Sequence, residues 1–262
     1  HGSTVNYNVN NSQVQIINNV DLMAASPIYA DTDDTMATYE KDTSIYNVNA
    51  FYPENPVVVS EIMDLRGVQS VIVSVTPYQY NAVTKELKVF HDIDLSLSYE
   101  NGDGYYADER LRSPYFDKVL QQSLVNYNQL PVVDYESRMR QWVSGGNTGC
   151  EYLIVIPNDE SFRPYAQQLA NYRTKQGILT EVKSLNEMGC TNPSQIKDYI
   201  HNAYNNWDIP PVAVLLFGDY NTNVTLGIPA EIYEHDYSGT CISDNGYADV
   251  NVDTDYNIGA NI

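Results

Sequence analysis

The chain has 262 residues, which is enough for two cores of ordinary domain size. Fourteen basic against 34 acidic side chains give a formal net charge of −20 at pH 7, which argues against nucleic acid or an anionic membrane as a partner. No apolar run reaches the roughly 18 residues of a membrane helix, so the sequence predicts no membrane span.

Residues 1–135 are predicted to form a β-rich domain. Strand-like apolar runs, separated by turns that contain Pro, Asn or Gly, lie at 57–59, 68–75, 87–90 and 93–99. The segment 92–99 alternates polar and apolar residues, which predicts a strand with one face on a core and one face in water. A β-sandwich is the simplest architecture that fits these runs.

The composition changes between residues 136 and 149. Residues 136–140 are basic within an acidic protein, and residues 144–149 are small and polar. This composition is typical of an exposed, flexible linker.

From residue 150 the pattern changes to alternating strands and helices. Apolar strands are predicted at 152–156 and 212–217, and a third strand at 178–182. One helix is predicted after the capping residues 158–161 and ends at Gly177, and a second begins at Asn192-Pro193 and closes before Pro210-Pro211. This order predicts an α/β domain with a mostly parallel sheet.

The three cysteines, Cys150, Cys190 and Cys241, have no CxxC spacing, so a zinc site is not predicted. One disulfide with a free thiol, or three inert thiols, both fit the count. The nearest histidine to a cysteine is His235 beside Cys241, but both lie in a Gly-, Ser-, Asp- and Tyr-rich stretch and not at the end of a buried strand. They are therefore not predicted to be a catalytic pair.

Several of these segments resemble the start of the gingipain-type cysteine peptidase domain of peptidase family C25. The segments that carry this resemblance are 153–157, 175–177, 180–182, 196–200 and above all 210–219. Segments further upstream resemble the propeptide that precedes such domains in secreted zymogens, and they lie at 51–56, 65–68, 77–81 and 83–90. The resemblance covers roughly residues 50 to 262.

The resemblance implies a β-sandwich prodomain followed by part of a caspase-like three-layer α/β catalytic domain, with residues 150–262 as its N-terminal part. Residues 136–149 would then be the linker at which the propeptide is cut, and Arg138 or Arg140 would suit an enzyme that cleaves after arginine. In the family the catalytic histidine and cysteine follow later strands, beyond Asp219. We therefore expect no catalytic residue in this chain, no peptidase activity from the chain alone, and a secreted or cell-surface parent protein that acts on protein or peptide substrates.

The resemblance also implies a structural calcium ion. It matches Asp219 and Asp255 as carboxylate ligands, with Val252 and Asn257 as further ligands. A further acid expected by the family pattern falls on Gly259, so Asp253 could replace it. A solvated acidic turn is the alternative, and a surface role is predicted for the acidic group Glu231, Glu234 and Asp236.

Three hypotheses of function remain open. The first is the N-terminal portion of a secreted gingipain-like cysteine endopeptidase zymogen, with an inhibitory and chaperoning propeptide, to which the C-terminal remainder of the same protein would be a partner. The second is a surface-attachment transpeptidase of the same fold and secretion pathway, and the third is a non-enzymatic adhesin. A nucleotide-binding fold is less well supported, because residues 218–221 lack a glycine-rich phosphate loop.

Overall fold

The computed structural model describes residues 2–25, 40–105, 108–235, 239–248 and 250. The chain divides into two compact units, His1–Tyr106 and Ala107–Ile262. The sequence predicts a boundary near residue 135, so the packing boundary lies before the predicted one, and residues 108–149 pack with the C-terminal unit. Among the described residues, every helix is too short or too polar to cross a membrane.

The N-terminal unit is β-rich, as the sequence predicts. Its sheets are antiparallel: one has three strands in the order β1-β7-β6, and two are the pairs β2-β5 and β3-β4. A short helix, α1, begins after Asp42, whose side chain accepts a hydrogen bond from Ser44 N. The elements are β1 Thr4–Ile17, α1 Thr43–Tyr46, β2 Val57–Val59, β3 Met63–Leu65, β4 Val68–Ser70, β5 Val73–Val75, β6 Tyr78–Asn81 and β7 Glu86–Glu100.

The long β1-β7 ribbon shows the predicted alternation but not the predicted burial. Its register pairs Val5 with Tyr99 and Tyr7 with Leu97, so apolar side chains of both strands share one face. Leu97 is nevertheless 37% exposed and Tyr99 is 54% exposed. Strand β6 pairs with β7 only along Glu86 to Val89, so among the described residues the outer part of the ribbon is two-stranded.

The C-terminal unit combines helices with a parallel sheet. Its elements are α2 Asp117–Ser123, α3 Tyr135–Val143, β8 Tyr152–Ile156, α4 Arg163–Lys175, β9 Thr180–Ser184, α5 Leu185–Met188, α6 Pro193–Asn206, β10 Ala213–Leu216, β11 Glu231–His235, β12 Gly239–Ser243 and α7 Asn245–Ala248. The parallel sheet has the order β10-β8-β9, and β11 and β12 form an antiparallel pair.

Strand β8 is the centre of the core because it is apolar on both faces. Leu153 and Val155 belong to a buried cluster with residues of α5 and α6. Ile154 and Ile156 belong to a second cluster with Ala166 and Ala170 of α4. Since successive strand residues point to opposite faces of a sheet, the two clusters lie on opposite sides of β8. Burial of each such aliphatic side chain stabilises the fold by about 1.5–3 kcal/mol.

The two long helices begin and end where the sequence predicts. Asn192 caps α6 by accepting a hydrogen bond from Gln195 N at 3.0 Å, and Pro193 occupies the first turn, where no backbone donor is needed. Gly177 follows α4 with a φ of +86°, a left-handed conformation that glycine adopts without strain. The strand expected at 178–182 is present but displaced to 180–184.

The predicted flexible linker is largely a helix, which corrects the expectation for residues 136–149. Helix α3 covers Tyr135–Val143. Asp134 caps it by accepting a hydrogen bond from Ser137 N at 2.9 Å, and Glu136 pairs with Arg140 across one turn at 2.6 Å. Small and flexible residues begin only after the helix, at Ser144, which leaves a short turn before β8.

Candidate functional site

The residues that follow β8 and β10 meet at the carboxyl edge of the parallel sheet. The chain leaves β8 for β9 on one side and returns to β10 on the other, so the strand order reverses at β8. Crevices at such reversal points are the usual ligand sites of open α/β sheets. Gly218 lies here against Pro157: an added Cβ would come within 2.9 Å of Pro157 Cγ, so only glycine allows this approach without a shift.

Asp219 lies at this edge, at the start of a loop whose two ends are hydrogen-bonded to each other. Its carboxylate accepts a hydrogen bond from Tyr220 N at 2.8 Å, and its carbonyl accepts one from Ile228 N at 2.9 Å. Asp219 lines a cavity of about 200 Å³ together with Asp244. The remaining lining residues of this cavity are Leu216, Gly218, Tyr220, Ile228 and Ile242.

The calcium prediction rests only in part on described residues. Asp219 is described, whereas Val252, Asp255 and Asn257, and also Asp253 and Gly259, lie outside the described residues. Within the described ranges no group of three or more His, Cys, Asp or Glu side chains could hold a metal ion. Asp219 and Asp244 nevertheless supply carboxylate oxygens, the donors that calcium prefers. The sequence does not predict Asp244 as a member of this site.

A larger open cleft of about 550 Å³ lies between the start of α6 and β11. The hydroxyl of Tyr233 in this cleft donates a hydrogen bond to Glu231, and Gly246 packs against the same carboxylate. Burial, this hydrogen bond and the charge of Glu231 raise the pKa of Tyr233 to about 12. The sequence predicts a surface acid at Glu231, but the side chain is half-buried. The cleft is lined by Thr191, Asn192, Pro193, Tyr220, Thr222, Pro229, Ala230, Glu231, Ile232 and Tyr233.

All three cysteines are free thiols, so of the two alternatives left open the one without a disulfide is present. Cys150 is fully buried, and burial raises the pKa of its thiol. Cys190 is also buried, and burial raises its pKa as well. Cys241 is partly exposed on β12, opposite Tyr233 of β11. Because the thiolate is the nucleophilic form, Cys150 and Cys190 are unsuited to attack a peptide bond.

The two candidate processing residues lie in α3 and differ in their environment. Arg138 is half-buried, and its guanidinium donates to the carbonyl of Arg112 and, at 2.6 Å, to that of Glu109. The Arg140 side chain is 64% exposed and pairs along its own helix with Glu136. Since proteases bind extended backbone, cleavage after either residue requires the helix to open locally.

Two family models match the chain one after the other: the C25 propeptide matches residues 1–132, and peptidase family C25 matches residues 146–260. The class of protein that these matches define is a peptidase sequence preceded by its propeptide. The chain belongs to peptidase family C25, as the resemblance in its sequence indicates.

The relatives found by sequence are gingipains. Lys-gingipain of Porphyromonas gingivalis is 27% identical over 212 residues, which cover 76% of this chain and 11% of the relative. Gingipain R2 of Porphyromonas gingivalis is 22% identical over 191 residues, which cover 71% of this chain and 24% of the relative. The chain thus spans a quarter or less of the length of these relatives.

Two solved structures are similar over part of the chain. The complex of Porphyromonas gingivalis RgpB pro- and mature domains covers 48% of this chain and 64% of its own, with a TM-score of 0.39 and 21% identity. A structure on the zymogenic latency of gingipain K from Porphyromonas gingivalis covers 38% of this chain and 59% of its own, with a TM-score of 0.33 and 22% identity.

Proposed function

We propose that this chain is the N-terminal portion of a secreted or cell-surface gingipain-like cysteine endopeptidase zymogen. The observation that carries the proposal is the order of the two family matches, with the propeptide at 1–132 and the peptidase at 146–260 on one chain. A β-sandwich prodomain and a caspase-like three-layer catalytic domain are the proposed architectures. The apolar clusters on opposite faces of β8 support the second of these. The transpeptidase and adhesin alternatives are not favoured, because the relatives found are gingipains.

The catalytic histidine and cysteine of the parent enzyme are proposed to lie outside residues 1–262, so that these residues alone hydrolyse no peptide. Burial and raised pKa values at Cys150 and Cys190 support this proposal, since a nucleophilic cysteine needs a stable thiolate. The propeptide would keep the parent enzyme latent until a cut after Arg138 or Arg140 separates it from the peptidase portion.

The test compares residues 1–262 with the product of the complete reading frame. Only the longer protein, once its propeptide has been cut, is expected to cleave peptides in a reaction that thiol alkylation abolishes. Peptide hydrolysis by residues 1–262 that disappears in Cys241→Ala would overturn the proposed location of the nucleophile. A longer protein that cleaves no peptide after propeptide removal would overturn the zymogen assignment and favour the adhesin.

A structural calcium ion is proposed where Asp219 meets the loop that contains Val252, Asp255 and Asn257. Two carboxylates held together without a cation repel each other, so the ion would stabilise this edge of the sheet by mass action, by about 2.7 kcal/mol at a hundredfold excess over Kd. Melting curves with calcium and with chelator should show a calcium-dependent rise in Tm that Asp219→Asn removes. A rise that survives this substitution would place the ion elsewhere.

A further inference from the structure

The dipeptide Asn-Gly occurs twice in the chain, in two different environments. Asn101-Gly102 follows directly after β7, shortly before the first compact unit ends at Tyr106. Asn245-Gly246 begins α7. In this dipeptide an asparagine loses its amide most readily without an enzyme, because glycine has no side chain to hinder attack by its backbone nitrogen. The two sites therefore have the same local chemistry and differ only in how the fold holds them.

Asn101 lies outside the paired part of the β1-β7 ribbon. The outermost pair of the ribbon joins Thr4 with Glu100, so Asn101 comes immediately after it. Asn101 and Gly102 are both exposed, and Asn101 has a φ of +61°. Within the described ranges, the backbone nitrogen of Gly102 takes part in no hydrogen bond. Exposed backbone without such bonds reorganises at little cost, so this nitrogen can reach Cγ of Asn101 without unfolding of the ribbon.

The second dipeptide is held in place by its surroundings. The backbone nitrogen of Tyr247 donates to the carbonyl of Asp244 at 3.0 Å, across the dipeptide. Gly246 is buried, and an added Cβ would lie 2.3 Å from a carboxylate oxygen of Glu231. Rotation of the peptide between Asn245 and Gly246 into the reactive geometry therefore requires α7 to open locally.

We propose that Asn101 is a site of spontaneous deamidation, with water as the only co-reactant, and that the fold protects Asn245. The backbone nitrogen of Gly102 attacks Cγ of Asn101, so that an N–Cγ bond forms and the Cγ–Nδ2 bond breaks. The proton of the attacking nitrogen passes through solvent to the departing group, which leaves as ammonia. Water then opens the cyclic imide at Cγ to give aspartate, or at the main-chain carbonyl to give isoaspartate. Nothing is oxidised or reduced.

The reaction changes the connection that follows β7. It adds a negative charge between Glu100 and Asp103, in a chain whose formal net charge is already −20. The isoaspartate product also carries the main chain through Cβ of position 101, which makes the backbone longer by one methylene group. Because neighbouring like charges repel and the altered backbone no longer fits the turn, we expect the pair of Thr4 and Glu100 to open more often as the protein ages.

The test is peptide mapping by mass spectrometry of residues 1–262 kept in mildly alkaline buffer and then digested in acid, where the reaction is slow. The readout is the mass gained when an amide becomes a carboxylate, assigned to a residue by fragment ions. Asn101 should react at least tenfold faster than Asn245 in the folded protein, whereas the two rates should be similar in urea. Gly102→Ala should slow the reaction at Asn101 roughly tenfold. Asn101→Gln is the matched control, which should remove the reaction there and leave Asn245 unchanged.

Two outcomes would overturn the assignment: a rate at Asn245 in the folded protein that equals or exceeds that at Asn101, or a rate at Asn101 that is tenfold lower in the folded protein than in urea. The urea measurement does not depend on whether a variant folds. Hydrogen exchange tests the consequence for the ribbon, because amides near Thr4 and Glu100 should exchange faster in aged wild type than in aged Asn101→Gln. Equal exchange in the two aged proteins would refute it.

Discussion

Replacement of Asp117 by asparagine should destabilise the C-terminal unit by about 3–5 kcal/mol, the usual cost of removing one partner from a buried ion pair. Asp117 forms a two-pronged pair with Arg112, with Nε to Oδ1 at 2.7 Å and the second nitrogen to Oδ2 at 2.8 Å. The side chains are only 3% and 12% exposed. The substitution therefore leaves the guanidinium buried and without its counter-charge.

Two further variants separate the charge from the hydrogen bonds. The hydroxyl of Tyr135 also donates to Asp117, at 2.7 Å, so Tyr135→Phe should cost less, about 1.5–3 kcal/mol for a bond to a charged group. The double variant Arg112→Met with Asp117→Leu should recover much of the loss, because well-packed apolar residues often replace a buried pair at little cost.

Urea unfolding followed by tryptophan fluorescence is the suitable assay. The protein has two tryptophans, Trp142 and Trp207, and both lie in the C-terminal unit. The signal therefore reports that unit and not the N-terminal one, which avoids treating two units as a single transition. A loss for Asp117→Asn no larger than that for Tyr135→Phe would refute the argument from charge.

The same variant has a predicted pH dependence. Burial of Asp117 opposes ionisation, but hydrogen bonds from Arg112 and Tyr135 and the charge of Arg112 outweigh it and hold the pKa below its ordinary value. The pair therefore stabilises the folded state fully above the unfolded pKa of about 3.9, and this part is lost as the pH falls through the lower folded pKa. The stability difference between wild type and Asp117→Asn should be constant at neutral pH and shrink below about pH 4.

Other outcomes follow from local geometry. Limited proteolysis should cut first in the turn 144–147 and spare α3; a first cut inside 60–100 would contradict this expectation. Iodoacetamide should label Cys241 well before the buried Cys150, as peptide mapping would show; equal rates would contradict the described burial. Gly149→Ala should cost more than about 1 kcal/mol in urea unfolding, since its φ is +92° and an added Cβ would lie 2.7 Å from the Trp207 ring. Gly145→Ala, also at positive φ but with open space around it, is the control and should cost less.

The α/β half of the fold was predictable because its signals are local. The apolar run 152–156 has no polar face, so it had to lie in the middle of a covered sheet, and β8 does. Asn192-Pro193 and Gly177 set helix ends through backbone chemistry that depends on few neighbours. These features depend little on the rest of the fold, so composition and spacing alone locate them.

The features that the sequence did not reveal either have an ambiguous local signal or depend on distant contacts. Helix α3 follows from a cap at Asp134 and a pair within the helix, yet its basic, polar composition is also that of a linker. Burial on the β1-β7 ribbon depends on what covers it, and alternation at Leu97 and Tyr99 carries no information on that. Asp244 reaches the cavity beside Asp219 through the fold of β11 and β12, and a lone acid in a turn gives no signal of this.

The propeptide family match and the N-terminal packing unit end at different residues. Residues 108–132, which belong to the first and not to the second, explain the difference physically. The propeptide match extends to residue 132, whereas packing joins the segment from Ala107 to the peptidase portion. One of its ties is the side chain of Arg110, which donates to the main-chain carbonyl of Tyr204. Carbonyls are present at every position, so such ties need no particular residue on the receiving helix and leave no apolar periodicity in the sequence. A segment held in this way can match the propeptide family in sequence and still pack with the peptidase portion.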